Sequence, residues 1–270
     1  HLRDGEDLDV QLEGARDLSS VLSVLRLTWS RLLFEIAVHD IYRRASFREI
    51  KRRQSELAEA SIAAVLEETR KELARRLSKE KVQLSMAVLA LGKLGGGAMD
   101  YDSDLDILIL RGDDETASLS GGAAADFYSR ATEIFVTLLA SVTRDGDLYR
   151  VDLRLRPYGK NGPAVSTRDS LVEYIERAAS VWELLAYVQL RGVPDGSVLA
   201  CKAEEAVRGA IRRRAEKADR DELRRESRGI RLMLEAEHAP SRDIKNVDIK
   251  FGAGGLLDVY FVVRYLYLQE

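Results

Sequence analysis

The chain has 270 residues and a formal net charge of −3 at pH 7, and 46% of its residues are hydrophobic. This length suffices for one large or two modest domains, and the balance of acidic and basic residues gives no indication of nucleic-acid binding. The single cysteine, Cys201, excludes an internal disulfide and fits a reducing cytoplasm, and no apolar run approaches the roughly 20 residues that span a membrane.

The first third of the chain is predicted to be helical. Residues 1–14 are charged and aperiodic, and we interpret them as a loose lead-in. Apolar residues then recur at helical spacing from about residue 17 to 44 and again from about 46 to 79, with Ser46 as the N-cap of the second helix. We assign residues 1–80 to an N-terminal helical region that serves as a scaffold.

The stretch around residue 100 carries the strongest chemical signal. An apolar strand at residues 86–91 runs into a glycine turn at 95–97, and a second apolar strand begins at Asp104-Leu105-Asp106. Because successive strand residues alternate between faces, Asp104 and Asp106 project to one side while Leu105 enters the core. Two adjacent carboxylates repel each other unless a cation lies between them. Oxygen-only ligands of this kind suit Mg²⁺ or Mn²⁺.

A later strand adds a third carboxylate. Residues 148–155, LYRVDLRL, alternate between apolar and polar, which places Asp152, Arg154 and Arg156 on one strand face. Three carboxylates on neighbouring strands can hold two divalent ions. The two arginines are expected either to clamp a triphosphate or to balance the acidic charge. The predicted catalytic and metal-binding residues are Asp104, Asp106 and Asp152.

A phosphate site is predicted beside these carboxylates. Gly95 and Gly96 leave room for a phosphate and offer backbone N–H donors to it. The hydroxyl of Ser103 either binds a phosphate or caps the turn. Asp100 and Asp102 continue the two-residue spacing upstream, and we interpret them as loop residues rather than ligands. The combination of a glycine turn with paired carboxylates indicates phosphoryl or nucleotidyl transfer.

The rest of the chain is predicted to be mainly helical. Loops are expected at residues 113–122 and 243–255, and helices at about 123–143, 170–190, 198–239 and from 256 onwards. We assign residues 81–196 to a catalytic domain and 197–270 to a C-terminal helical region that begins a bundle. The predicted fold class is therefore α+β, a small mixed sheet flanked by helices. The last residues lie inside an apolar periodic run, so we interpret the chain as a piece of a longer protein.

The order of these motifs resembles a known family. Gly-Gly, seven residues, Asp-x-Asp and a later strand aspartate are similar to the DNA polymerase β-like nucleotidyltransferases. The blocks LGKLGGGAMDYDSDLDILIL, VDLRLRPYGKNGPAVS, Trp182-Glu183 and DIKFGAGGLLDVYFVVRYLYL follow the order and spacing of the glutamine synthetase adenylyltransferase family. By this resemblance the three aspartates match the metal-binding triad of the family. The nucleotide-binding positions that match are Gly95, Gly96, Ser103, Arg154 and Arg156.

The resemblance implies a fold, an activity and partners. Enzymes of this family have two catalytic halves: one transfers AMP from ATP to a tyrosine of glutamine synthetase, and the other removes it by phosphorolysis. Their balance is controlled by glutamine and the PII signalling protein. The chain is accordingly expected to be one such half, to use ATP with Mg²⁺ or Mn²⁺, and to work in the cytoplasm with glutamine synthetase and PII as partners. Asp152 is expected to position and deprotonate the attacking tyrosine.

Two further interpretations stay open from the sequence. The first is a related nucleotidyltransferase that acts on a small molecule or on RNA, although no basic stripe favours RNA. The second is a catalytically silent module that docks glutamine synthetase or PII. The direction of the reaction, transfer or removal of AMP, is also open.

Overall fold

The computed structural model describes residues 8, 11–12, 14–15, 17–42, 44–112, 121–194, 198–238 and 248–269. Most of the predicted lead-in and of the predicted loop at 113–122, and the first part of the loop at 243–255, lie outside these residues. The described part is α+β, with many helices and one small mixed sheet. It divides into two compact units, His1–Arg168 with Gln189–Glu204, and Asp169–Val188 with Glu205–Glu270.

The elements are numbered here in chain order. They are α1 (Leu18–Ile41), α2 (Phe47–Arg76), β1 (Met86–Ala90), α3 (Gly92–Gly95), β2 (Leu105–Arg111), α4 (Gly121–Ala140), β3 (Val151–Asp152), a 3₁₀ turn (Gly159–Asn161), β4 (Ser166–Thr167), α5 (Arg168–Arg177), α6 (Val181–Tyr187), β5 (Arg191–Gly192), α7 (Val198–Lys217), α8 (Arg220–Glu237) and α9 (Leu256–Gln269). None of the helices in the described ranges is long and apolar enough to cross a membrane.

The two predicted N-terminal helices are confirmed as α1 and α2. Helix α1 begins at a capping box, in which Asp17 accepts a hydrogen bond from the Ser20 N–H at 2.8 Å and the Ser20 hydroxyl oxygen accepts one from the Asp17 N–H. Helix α2 begins at the predicted N-cap Ser46, whose Oγ accepts from the Glu49 N–H at 3.2 Å. Helix α2 packs against both α1 and α4.

The sheet is built on the buried hairpin of β1 and β2. These strands pair antiparallel, with Met86 opposite Arg111 and Ala90 opposite Ile107. Strand β5 pairs antiparallel with β1, whereas β3 and β4 both pair parallel with β2. Every residue of β1 is buried, as are residues 107–110 of β2. This continuous apolar layer fixes the position from which β2 begins, and the predicted carboxylates lie at that point.

Two predicted helices are each interrupted by an N-cap. The expected helix at 170–190 is α5 followed by α6, because the Ser180 Oγ accepts from the Glu183 N–H and the Glu183 carboxylate accepts from the Ser180 N–H at 2.9 Å. The expected helix at 198–239 is α7 followed by α8, since the Asp219 carboxylate accepts from the Asp221 N–H at 2.8 Å. A side chain that caps a helix start needs extended backbone, which ends the preceding helix.

The predicted strand at 148–155 is much shorter than expected. Only Val151–Asp152 form β3, and the chain turns immediately afterwards. The Arg156 N–H donates to the Leu153 carbonyl at 3.2 Å, and the Gly159 N–H donates to the Arg156 carbonyl at 2.8 Å. Hydrogen bonds within the turn take the place of hydrogen bonds between strands after Asp152. The side chains that follow therefore do not alternate between the two faces of the sheet. The two-residue strands β4 and β5 were not predicted.

In the second unit a buried arginine holds the glycine-rich loop that precedes α9. Arg231 on α8 donates from Nε to Asp258 Oδ1 at 2.5 Å, and from Nη2 to the carbonyls of Phe251 and Gly252 at 3.0 and 3.1 Å. The Gly254 N–H also donates to Asp258, at 2.6 Å. The block DIKFGAGGLLD is thus folded around one guanidinium, which explains its need for small residues and an acid.

In the first unit another buried arginine ties α1 to the turn that precedes β3. Arg26 is fully buried and donates to the carbonyls of Gly146 at 2.8 Å, Leu22 at 3.1 Å and Ser141. Burial lowers the pKa of its guanidinium, while the nearby aspartates of the turn oppose that shift. The turn has its sharpest point at Gly146, with φ +95°.

We predict that Arg26→Met destabilises the protein by about 2–4 kcal/mol, because the part-buried oxygens of Ser141 and Gly146 lose a hydrogen bond from the guanidinium. The matched control is Arg31→Met, which removes a half-exposed arginine from the same helix, where it pairs with Glu35 at 2.8 Å. The control is expected to change the free energy of unfolding by less than about 0.5 kcal/mol. Urea denaturation of both variants measures the difference, and equal stabilities would contradict the role assigned to Arg26.

Candidate functional site

Three predicted carboxylates emerge where β2 and β3 begin. Asp106 and Asp152 are direct partners in the parallel pairing of these strands, so their backbones lie about 5 Å apart. Asp104 precedes Asp106 by two residues, and Leu105 between them is fully buried. The carboxylates therefore lie on the side of the sheet opposite to Leu105, as the alternation predicts.

Two arginines compensate the negative charge of this group. Arg150 donates from Nε to Asp104 Oδ1 at 2.6 Å, and its Nη2 lies 3.2 Å from Asp102 Oδ1. Arg154 donates to Asp152 from Nη2 at 2.5 Å and from its backbone N–H at 2.8 Å. The sequence analysis did not identify Arg150. Its position two residues before Asp152 would have placed it on the same strand face as Asp152.

The environment of Asp152 keeps it ionised. Burial by itself raises the pKa of this carboxyl, but hydrogen bonds from the side chain and backbone of Arg154 outweigh burial and leave the pKa below its usual value. A general base works best with a pKa near the working pH. Asp152 is therefore suited to holding a cation, and it is a poor proton acceptor at neutral pH.

Gly92 makes room for Asp106 and was also missed by the sequence reasoning. Its φ is +53°, and a Cβ at this position would lie 2.1 Å from Asp106 Oδ2. The next strand is held close as well, because the Leu91 N–H donates to the Asp106 carbonyl at 2.8 Å. Only glycine satisfies both the conformation and the space. The available signal was its place directly after the last residue of an apolar strand.

The predicted glycine turn is the end of the short helix α3. The N–H groups of Gly95 and Gly96 donate to the carbonyls of Leu91 and Gly92, at 2.8 and 3.1 Å. A Cβ on Gly95 would lie 2.4 Å from the carbonyl oxygen of Gln189. Gly95 is thus required by close packing of the chain on itself, and neither glycine has a free backbone donor in this arrangement. Their assignment to a phosphate site stays a prediction.

The hydroxyl of Ser103 caps the loop that leads into β2. Its Oγ accepts from the Asp100 N–H at 3.2 Å and from Lys93 Nζ at 3.1 Å. Lys93 on α3 is thereby held at the residue that directly precedes Asp104 in the chain. Asp100 pairs with Lys51 of α2 at 2.9 Å, so the loop is fixed from both ends.

Arg156 lies in the loop after β3, and its assignment to nucleotide binding stays a prediction. Its guanidinium donates to the carbonyls of Leu153 and Lys160 at 3.2 Å and of Gly162 at 3.3 Å. It closes the loop after β3 and does not share a strand face with Asp152. The placement beside Asp152 was wrong because it assumed a strand that continued to residue 155.

The donor set suits a divalent cation, whereas the present side-chain arrangement does not form a cage. In the ranges that the structure describes, no cluster of three or more His, Cys, Asp or Glu side chains is placed to hold a metal ion. Three carboxylates on one sheet face are nevertheless hard oxygen ligands of the kind that Mg²⁺ and Mn²⁺ take. Asp104 and Asp152 are each engaged by a guanidinium, so a shared ion requires these two ion pairs to open.

Comparison with known proteins identifies a family to which this chain is similar. Residues 5–206 match the family described as glutamate-ammonia ligase adenylyltransferase. The chain is 32% identical over 262 residues to the bifunctional glutamine synthetase adenylyltransferase/adenylyl-removing enzyme of Methylococcus capsulatus, with 95% of this chain and 27% of the relative covered. It is 34% identical over 265 residues to the protein of the same name from Caulobacter vibrioides, with 94% and 25% covered. The chain thus spans about a quarter of the length of these curated relatives.

Gly92 and Gly97 have similar backbone conformations but different surroundings. Substitutions at these two positions therefore distinguish the cost of backbone strain from the cost of steric crowding. Gly97 has φ +61° but nothing within 4 Å of an added Cβ, whereas Gly92 faces Asp106. We predict that Gly97→Ala costs about 1 kcal/mol of stability from backbone strain alone. Gly92→Ala is expected to cost about 2–4 kcal/mol, because the methyl group also displaces the Asp106 carboxylate. Chemical denaturation measures both values, and equal losses would show that Gly92 is not needed for the position of Asp106.

Proposed function

Because the chain belongs to the glutamate-ammonia ligase adenylyltransferase family, we propose that it catalyses adenylyl transfer between ATP and a tyrosine of glutamine synthetase, or the reverse phosphorolytic removal. The observation that carries this proposal is the pairing of Asp106 with Asp152, with Asp104 on the same face. The names of the relatives include both activities, so the direction stays open.

We further propose that the mixed sheet is of the polymerase β-like nucleotidyltransferase type. In the three-part division proposed here, residues 81–196 carry the catalytic domain between helical regions at 1–80 and 197–270. The three aspartates would hold Mg²⁺ or Mn²⁺. Such an ion would supply positive charge for the phosphates and lower the pKa of the attacking hydroxyl.

The transfer reaction defines what the chain must provide. The tyrosine oxygen attacks the α-phosphorus of ATP, the bond to the β-phosphate bridging oxygen breaks, and pyrophosphate leaves while the tyrosine loses its proton. In removal, an oxygen of inorganic phosphate attacks the phosphorus of AMP-tyrosine and the bond from that phosphorus to the tyrosine oxygen breaks. The tyrosine oxygen leaves and takes up a proton, and the AMP and phosphate are joined as ADP. Both directions gather several negative charges in one place, so positively charged side chains beside the reacting phosphorus lower the barrier.

The arginines that now compensate the carboxylates are suited to that task. When Arg150 and Arg154 leave Asp104 and Asp152, their guanidiniums are available for phosphate oxygens, which they can bind bidentately. Lys93 beside Ser103 offers a further positive charge. The low pKa of Asp152 disfavours the sequence-based expectation that it deprotonates the tyrosine, whose unperturbed pKa is about 10.

The partners proposed from the family are glutamine synthetase as substrate and PII as a regulator that acts through the longer protein, in the cytoplasm. A second candidate is a catalytically silent module that docks either partner. The specific observation in its favour is that arginines already occupy Asp104 and Asp152. The two candidates differ in turnover.

Two parallel incubations test the proposed activity and its direction. One contains the chain, glutamine synthetase, α-labelled ATP and Mg²⁺; the other contains the chain, adenylylated glutamine synthetase, inorganic phosphate and Mg²⁺. Incorporation of label supports transfer, and release of ADP supports removal. ATP binding without turnover in either tube would instead support the silent module.

We predict that Asp104→Asn with Asp106→Asn lowers the rate in the active tube by about 10³-fold while the fold is kept, because both carboxylates lie at the surface of a buried hairpin. The matched control is Asp102→Asn, whose side chain is 85% exposed and also contacts Arg150. The control is expected to keep most of the activity. Near wild-type activity in the double variant, with unchanged far-UV circular dichroism in all proteins, would overturn the assignment of this site.

A further inference from the structure

Arg191, the first residue of β5, lies beside the short helix α3 in the first unit. Strand β5 pairs antiparallel with β1, and Arg191 is opposite Ala90, the last residue of β1. Helix α3 begins two residues after Ala90. The backbone before β5 also touches the end of α3, because a Cβ added to Gly95 would lie 2.4 Å from the carbonyl oxygen of Gln189. The segment at 189–191 therefore packs directly against α3.

The guanidinium of Arg191 joins the end of α3 to α2. Its Nη2 donates to the Leu94 carbonyl at 3.0 Å, and its Nε donates to the Gly95 carbonyl at 3.4 Å. Nη2 also donates to the carboxylate of Glu59 on α2. The last carbonyls of a helix have no partner inside the helix, so they need donors of this kind. The side chains of Arg191 and Glu59 are 29% and 17% exposed, so salt screens their attraction less than that of a surface pair.

Helix α3 carries two residues that bear on the proposed site. Gly92 opens the helix and faces one of the predicted carboxylates. Lys93 follows it and donates from Nζ to Ser103 Oγ at 3.1 Å, so its ammonium lies at the residue before Asp104. The helix is only four residues long. A shift of its end at residues 94–95 therefore also moves its first two residues, and the contacts at that end determine where the lysine is held.

We propose that Arg191 is a positioning residue for nucleotide binding, an inference that rests on the proposed function. It acts through Lys93: its hydrogen bonds fix the end of α3, and α3 presents the Lys93 ammonium to a phosphate oxygen of the nucleotide. A lysine is a point charge on a flexible stem. Its backbone must therefore be fixed if the charge is to be held beside a phosphate, and Arg191 with Glu59 provides that support.

A double-mutant cycle on Lys93 and Arg191 tests this inference. Equilibrium dialysis with Mg²⁺–ATP, or with Mg²⁺–ADP if only removal of AMP is detected, measures the affinity of each protein. Lys93→Met is expected to weaken binding about tenfold and Arg191→Met about fivefold. If Arg191 acts through Lys93, the double variant binds as weakly as Lys93→Met alone, because the effects of coupled residues do not add. Losses that multiply in the double variant, or unchanged affinity in Arg191→Met, would overturn the inference.

Two further variants distinguish positioning from a general loss of structure. The matched control is Arg53→Met, since Arg53 of α2 is 23% exposed and pairs with Glu49 at 2.8 Å. It is expected to keep the wild-type affinity within about twofold. Equal losses in Arg53→Met and Arg191→Met would show a general effect and contradict the positioning role.

Arg191→Lys keeps a positive charge beside Glu59 but lacks the planar guanidinium that reaches both Glu59 and α3. Its affinity is expected to lie between those of the wild type and Arg191→Met. If Arg191→Met does not fold, the cycle with Lys93→Met is carried out with Arg191→Lys, and the same criterion of additivity decides.

The outcomes separate this inference from the proposed function. Coupled losses of nucleotide affinity in a protein that turns over neither substrate would support the positioning role and contradict the enzyme assignment. Turnover accompanied by losses that multiply would support the enzyme and contradict the positioning role.

Discussion

Repulsion among three carboxylates is the constraint on which the rest of the site depends. Pairing of β2 with β3 puts Asp106 beside Asp152, and strand alternation adds Asp104 to the same face. Such a group is stable only when positive charge lies next to it. In the structure Arg150 and Arg154 supply that charge. In the proposed reaction a divalent cation replaces them, and the released guanidiniums then face the phosphates. The carboxylates are thus neutralised both without and with bound nucleotide.

The scaffold makes this concentration of charge tolerable. The buried hairpin of β1 and β2 anchors the carboxylates from below, and α1, α2 and α4 contribute to the same hydrophobic core. Gly92 allows the backbone to come close enough for Asp106 to stay in place.

The parts of the site that depend on local geometry could be predicted from the sequence. Alternation along β2 predicts that Asp106 faces away from the buried Leu105, and the N-cap at Ser46 follows from residue type alone. The break before α6 was also readable, because Ser180 and Glu183 have capping-box spacing. The position of Arg156 could not be predicted, because it depends on where the hydrogen bonds between β2 and β3 end.

Competition between guanidinium and metal is the central claim, and Mn²⁺ binding measures it most directly. Free Mn²⁺ is followed by its EPR signal during titration of wild type, of Arg150→Met with Arg154→Met, and of that variant with Asp106→Asn added. The account predicts that loss of the two arginines tightens Mn²⁺ binding about tenfold or more, and that Asp106→Asn abolishes the gain. Equal or weaker binding without the arginines would contradict it.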